Sequence, residues 1–133
     1  MNISEETIKK LISEAVQVRK NAYNPYSKFA VGAVLLTNDN NIITGTNIEN
    51  CSFGLTMCAE RVAIFTAISQ GYKHFKALAL VTDDGSTPCG ACRQVIWELC
   101  GDIPVVIATP DYHYHIKMAS ELLPTPFAAH VAL

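Results

Sequence analysis

The 133-residue sequence predicts an α/β protein, a central sheet with helices packed on its faces. Three observations lead there. Apolar residues fall at helical spacing near the start, short β-rich runs are bounded by turn signals, and two further helical stretches are interleaved with those runs. The length suits one domain over 1–133 with one substantial core, and no repeat or low-complexity linker divides it.

Ser4, followed by Glu5 and Glu6, opens the first helix with a capping hydroxyl and negative charge at the positive helix end. Ile8, Leu11, Ile12, Ala15 and Val16 then form one buried stripe, and "NAYNPYS" breaks it into a turn. Residues 29–36 and 42–48 read as strands joined by "TNDNN" in a hairpin. The second helix runs from Cys58 to Gln70 and is closed by Gly71. "ALALVT" (77–82) is a strand and "DDGSTP" a loop. The third helix spans Cys89 to Leu99, closed by Gly101. "PVVIAT" is the fourth strand and "HYHIKM" the fifth.

Composition narrows the function classes. Half the residues are hydrophobic and 17% are charged, more apolar than a free-standing monomer needs, which points to an oligomer. The net charge is −2 and no basic run exceeds "VRK" or "KK", so a nucleic-acid partner is not expected. The apolar run "FAVGAVLL" is far short of a membrane span, and "MNISEETIKK" lacks the layout of a signal peptide. The expectation is a cytoplasmic protein with reduced cysteines, and five of them favour metal or catalysis over disulfides.

The chemistry is carried by "MCAER" and "PCGAC". Cys89 and Cys92 have the C-x-x-C spacing that lets two sulfurs reach one ion, and helix N-terminal amides favour the thiolates that zinc requires. The same spacing also serves redox dithiols and half a zinc ribbon, but the chain lacks the ribbon's second pair. With Cys58 the set becomes three sulfurs, and a fourth tetrahedral position stays open, as in catalytic zinc sites. Water held there needs a base, and Glu60 stands two residues from Cys58. Helix positions two apart do not face each other, so Cys58 must sit at the helix cap.

"CAE" followed by "PCGACRQ" resembles the zinc deaminase signature with cysteine at its first position, as in the small homotetrameric cytidine deaminases. "KFAVGAVL", "TGTNIEN" and "ELLP" extend the resemblance, in the family's order, over nearly the whole chain. It implies a three-layer α/β/α fold with a mixed five-stranded sheet. It also implies one zinc per chain on Cys58, Cys89 and Cys92, with Glu60 as proton shuttle and Arg61 hydrogen-bonded to the ligand sulfurs. Asn47 and Glu49 would bind the sugar hydroxyls, Phe29 would pack near the base, and the backbone around Ala59 would hold the pyrimidine carbonyl. Phe127, in "LLPTPF", would reach a neighbouring subunit's site. The implied activity is hydrolytic deamination of cytidine and 2′-deoxycytidine in pyrimidine salvage, by a homotetramer.

Each residue also has an ordinary explanation. Arg61 alone would be a solvated helix residue, Asn47 and Glu49 exposed polar positions at a strand end, and Phe29 and Phe127 core residues. Cys51 and Cys100 are read as small hydrophobes off ligand spacing, and His113 and His115 as surface histidines with no acidic or thiol partner nearby in sequence. The rival functions are a deaminase of another aminopyrimidine nucleoside, of blasticidin type, and a structural zinc module with Cys51 or Cys100 as fourth ligand.

Overall fold

The computed structural model describes residues 3–128. Ser4 caps helix α1 (Glu5–Val18) by accepting from the Thr7 amide, and Ile8, Leu11, Ile12 and Ala15 are buried. Five strands follow: β1 (Gly32–Thr37), β2 (Ile42–Thr46), β3 (Phe75–Val81), β4 (Pro104–Ala108) and β5 (Tyr114–Met118). They form one sheet of order β2-β1-β3-β4-β5, in which β3 and β4 run parallel and the other pairs antiparallel. Helix α2 (Ala59–Ser69) joins β2 to β3, and α3 (Gly90–Cys100) makes the crossover between the parallel pair.

Side chains alternate between two cores, which gives the three-layer α/β/α arrangement. Val34 and Leu36 of β1, Ala77, Ala79 and Val81 of β3 and Val106 of β4 meet α1 on one face. Ala33, Leu35, Leu78, Leu80, Val105 and Ile107 meet Ala63 and Ile64 of α2 and Ile96 of α3 on the other. Strands buried on both faces read as unbroken apolar runs, so "GAVLL" and "ALALV" carry no alternation.

The observed elements depart from the sequence reading in three places. Residues 29–31 are not strand: β1 starts at Gly32 and β2 ends at Thr46. Strand β3 begins two residues early, at Phe75, across an irregularity in register between Leu36 and Thr37. A short helix, α4 (Ala119–Leu122), follows β5 unanticipated, held where the Glu121 carboxylate accepts from the Met118 amide at 2.9 Å. The register pairs Gly32 with both Thr46 and Val81, so β1 begins where β2 and β3 end. The functional residues collect at that end of the sheet.

Candidate active site

Two helix starts meet at this end. Cys58 is the N-cap residue of α2 and Cys89 that of α3, both in extended backbone just before the first helical residue. Cys58 thus occupies the cap that its spacing from Glu60 demanded. Close packing fixes the first turn of α2 against β2. A Cβ on Gly45 would stand 2.5 Å from the Ala63 nitrogen and 2.6 Å from the Ala59 oxygen, so only glycine admits the helix this near.

The sulfurs of Cys58, Cys89 and Cys92 lie within 4.8 Å of one another, and those of Cys58 and Cys89 are 3.8 Å apart. Tetrahedral zinc with Zn–S bonds of about 2.3 Å holds its sulfurs about 3.8 Å apart, so the cluster fits zinc. Its electrostatics point the same way. The Cys92 thiol, helped by Arg61 and Cys89, outweighs burial and pulls the Cys58 thiol down to about 5. That hydrogen bond to Cys58, with burial and the charge of Glu60, pushes the Cys92 thiol up. The cluster carries one negative charge readily and resists a second, and a divalent cation between the sulfurs relieves that resistance.

Arg61 donates from Nη2 to the Cys58 sulfur at 3.3 Å, which raises its own pKa. Its buried Nε has no hydrogen-bond partner among the described residues. Glu60 is 4% exposed, and burial, with the Cys58 charge adding to it, raises its carboxyl to about 7. Such a group both accepts and donates a proton near neutral pH.

Cys58, Ala59, Glu60 and Cys89 line a cavity of about 240 Å³. Phe29, Asn47 and Glu49 line the same cavity. Asn47 and Glu49 flank Ile48, whose amide and carbonyl pair with those of Met57 at 3.0 and 2.9 Å, beside Cys58. Ile48 is 46% exposed, so by strand alternation its two neighbours turn inward; they are 7% and 8% exposed. Neither is the exposed polar position that the ordinary explanation expects.

Both polar side chains hold the chain before β1. The Asn47 amide nitrogen donates to the Phe29 carbonyl at 2.7 Å, and its oxygen accepts from the Val31 amide at 2.9 Å. Glu49 Oε1 accepts from the amides of Tyr26 and Ser27 at 2.9 and 3.1 Å, and Oε2 accepts from the Ser27 hydroxyl. The Ser27 hydroxyl, then the two amides and the Lys28 charge, hold the Glu49 carboxyl below its ordinary value.

Phe127 does not join this wall in its own chain. Its backbone is held by the Gln94 side chain, which donates to the carbonyl at 2.8 Å and accepts from the amide at 3.0 Å. The ring is 77% exposed, so it is not the core residue of the ordinary explanation. Cys51 is exposed as well, which corrects its reading as a small hydrophobe. Cys100 does pack on the core, and burial pushes its thiol up to about 12. It ends α3 about 15 Å along the axis from Cys89 at its start, and neither cysteine joins the sulfur cluster. His113 and His115 are exposed. His113 does have an acidic neighbour, Asp111, 3.0 Å away, which the sequence reading overlooked.

Ser27, Thr82, Ser86 and Thr87 also line the cavity and were missed. The only signals for them were hydroxyls beside a quoted motif, "YSKF", and in the loop before "PCGAC".

Three thiols at two helix caps, with a buried carboxyl beside them, define a zinc site of hydrolytic type. The chain belongs to the cytidine and deoxycytidylate deaminase zinc-binding family, whose model matches residues 5–109. It is 48% identical over 124 residues to the cytidine deaminase of Sporosarcina psychrophila, covering 91% of each chain. It is 50% identical over 122 residues to that of Halalkalibacterium halodurans, covering 90% of this chain and 92% of the relative. The fold matches the crystal structure of cytidine deaminase from Burkholderia pseudomallei with a TM-score of 0.87 and 42% identity, covering 94% of this chain and all of that one.

Proposed function

We propose that the chain hydrolyses cytidine and 2′-deoxycytidine to uridine and 2′-deoxyuridine, releasing ammonia. The observation that carries this is the buried Glu60 carboxyl, raised to about 7, beside the three-sulfur cluster and lining one cavity with Asn47 and Glu49.

Cys58, Cys89 and Cys92 would hold the zinc, which would supply Lewis-acid polarisation for water to act as a nucleophile near neutral pH. Glu60 accepts a proton from the attacking water and delivers it to the ring nitrogen beside C4. It then carries the second proton to the departing amine, so water and the aminopyrimidine become the 4-oxo lactam of the uracil ring and ammonia. Arg61 and the two helix N-termini offset the charge of three thiolates. Phe29 packs against the base and the Ala59 backbone holds its carbonyl.

Hydrogen-bond capacity supports the sugar reading. A carboxylate offers about four acceptor sites, and three of those of Glu49 are taken by the chain, leaving one on Oε2. Asn47 has one amide hydrogen uncommitted after its bond to Phe29. A single hydroxyl, donating to Glu49 and accepting from Asn47, satisfies both, so ribose and deoxyribose both qualify.

The protein acts in pyrimidine salvage in the cytoplasm as a homotetramer, with nucleoside as its partner and neither nucleic acid nor membrane. The exposed Phe53, Leu55, Tyr23 and Tyr26 offer the apolar surface that subunit contact requires. The exposure of Phe127, whose backbone is pinned by Gln94, supports a contact with a neighbouring subunit's site. No described helix is long and apolar enough to cross a membrane.

The test is loss of cytidine ultraviolet absorbance with matching ammonia release, run beside CMP, free cytosine and blasticidin S. Turnover confined to the two nucleosides supports the reading. Preference for blasticidin S moves the substrate, and metal binding without ammonia from any substrate leaves a structural zinc module.

A further inference from the structure

The chain segment that closes the sugar side of the cavity has no ladder to hold it. Residues 29–31 precede β1, and Lys28 before them is in left-handed backbone at φ 60. Side chains supply the missing bonds, and one small group lies at their centre. The Ser27 hydroxyl donates its single hydrogen to Glu49 Oε2 and accepts from the Phe29 amide at 3.0 Å. It thereby joins the wall beside the base to the carboxylate beside the sugar. Ser27 also donates its own amide to Glu49 Oε1, so residue 27 grips both oxygens of that carboxylate.

We propose that Ser27 is a positioning residue for substrate recognition: its hydroxyl fixes the rotation of the Glu49 carboxylate, and with it the aim of the acceptor site left on Oε2. This rests on the nucleoside reading above. The Oε1 amides alone leave the carboxylate free to swing about that oxygen, and the hydroxyl bond removes the remaining freedom. Oε2 carries the acceptor site left for substrate, so the group that orients Oε2 also aims that site. The lowered pKa of Glu49, for which the Ser27 hydroxyl is the largest cause, agrees with a bond to the ionised form.

Ser27→Ala removes the hydroxyl and leaves the Ser27 and Tyr26 amides in place. Its effect should depend on the substrate, which a general loosening of the fold would not produce. For cytidine, kcat/KM should fall on the order of tenfold, mostly through KM, as for a lost hydrogen bond to a charged group. For dideoxycytidine, which lacks both ring hydroxyls, Ser27→Ala should cost less than about twofold relative to the parent protein, because Glu49 has nothing to accept from it. Ser27→Thr keeps a hydroxyl and should restore the cytidine value. If the alanine variant fails to fold, Ser27→Cys, a near-isostere with a weak donor, should show the same selective loss. Equal losses on both substrates, or no loss on cytidine, overturn the proposal while the deaminase reading stands. A parent protein that turns over neither nucleoside overturns both.

Discussion

Replacing Glu60 by glutamine separates two consequences of one buried carboxyl. The amide keeps the shape and neighbours of the original but can neither take a proton from water nor return one. General acid–base groups contribute about 10²–10⁴ in rate, and one residue serving two transfers puts turnover at or beyond the upper end of that range. Zinc content should stay at one per chain, because Glu60 is not among the three clustered sulfur residues. Stability should move the other way. Burial raises this carboxyl from an ordinary 4.5 to about 7, so in the metal-free protein its contribution is fully present below pH 4.5 and is lost as pH rises through 7. Above pH 7 the buried charge withholds about 3 kcal/mol from folding, and glutamine removes that cost. Urea unfolding of chelator-treated protein at pH 4.5 and pH 8 reads this directly: the variant should gain on the parent only at the higher pH. Near-normal turnover would remove Glu60 from the mechanism. Equal stability differences at both pH values would refute the claim that burial tunes its proton affinity.

The metal set predicts that Cys89→Ala loses zinc, by direct metal analysis, whereas Cys51→Ala and Cys100→Ala keep both zinc and activity. Arg61→Gln should weaken zinc about 10–100-fold in chelator competition, since it removes the donor 3.3 Å from the Cys58 sulfur. Gly45→Ala should lower stability by about 1–3 kcal/mol in thermal unfolding, because its Cβ meets the α2 backbone 2.5 Å away. Its turnover should fall further than that loss explains, because the strain bears on the turn that carries Cys58 and Glu60. Glu49→Ala should raise KM for cytidine and slow turnover, because sugar contacts help place C4 for attack.

The catalytic wall was legible because its grammar is local. Cys58 and Glu60 two residues apart are incompatible with one helix face, and that conflict alone forces Cys58 to the cap of α2. The C-x-x-C pair fixes only that Cys89 and Cys92 share the start of α3; the structure makes Cys89 the cap, where its sulfur accepts from the Cys92 amide at 3.5 Å. The outer helix α1 and the two closing glycines follow from equally short-range signals, and Gly71 and Gly101 do take positive φ.

The Phe29, Asn47 and Glu49 part of the cavity was legible only as residue types, because most of what holds it lies far away in the sequence. "KFAVGAVL" reads as one strand from Phe29 onward, yet the backbone bonds at 29–31 come from Asn47, Ser27 and Arg19. Arg19 reaches across from the end of α1 to the Ala30 carbonyl at 3.2 Å and to Asp83 at 2.5 Å. It thus ties the segment before β1 to the loop after β3. Such side-chain bonds across eleven to sixty-four positions leave no periodicity for a sequence reading to detect. On the proposed reading the same arrangement gives Asn47 and Glu49 two duties at once, since Glu49 spends three of about four acceptor sites and Asn47 two of four on the protein, and each keeps the remainder for a ligand. Their burial follows from the first duty and their selectivity from the second. A substitution there changes the shape of the pocket before it changes any contact with substrate, whereas Glu60→Gln changes the chemistry and leaves the shape alone.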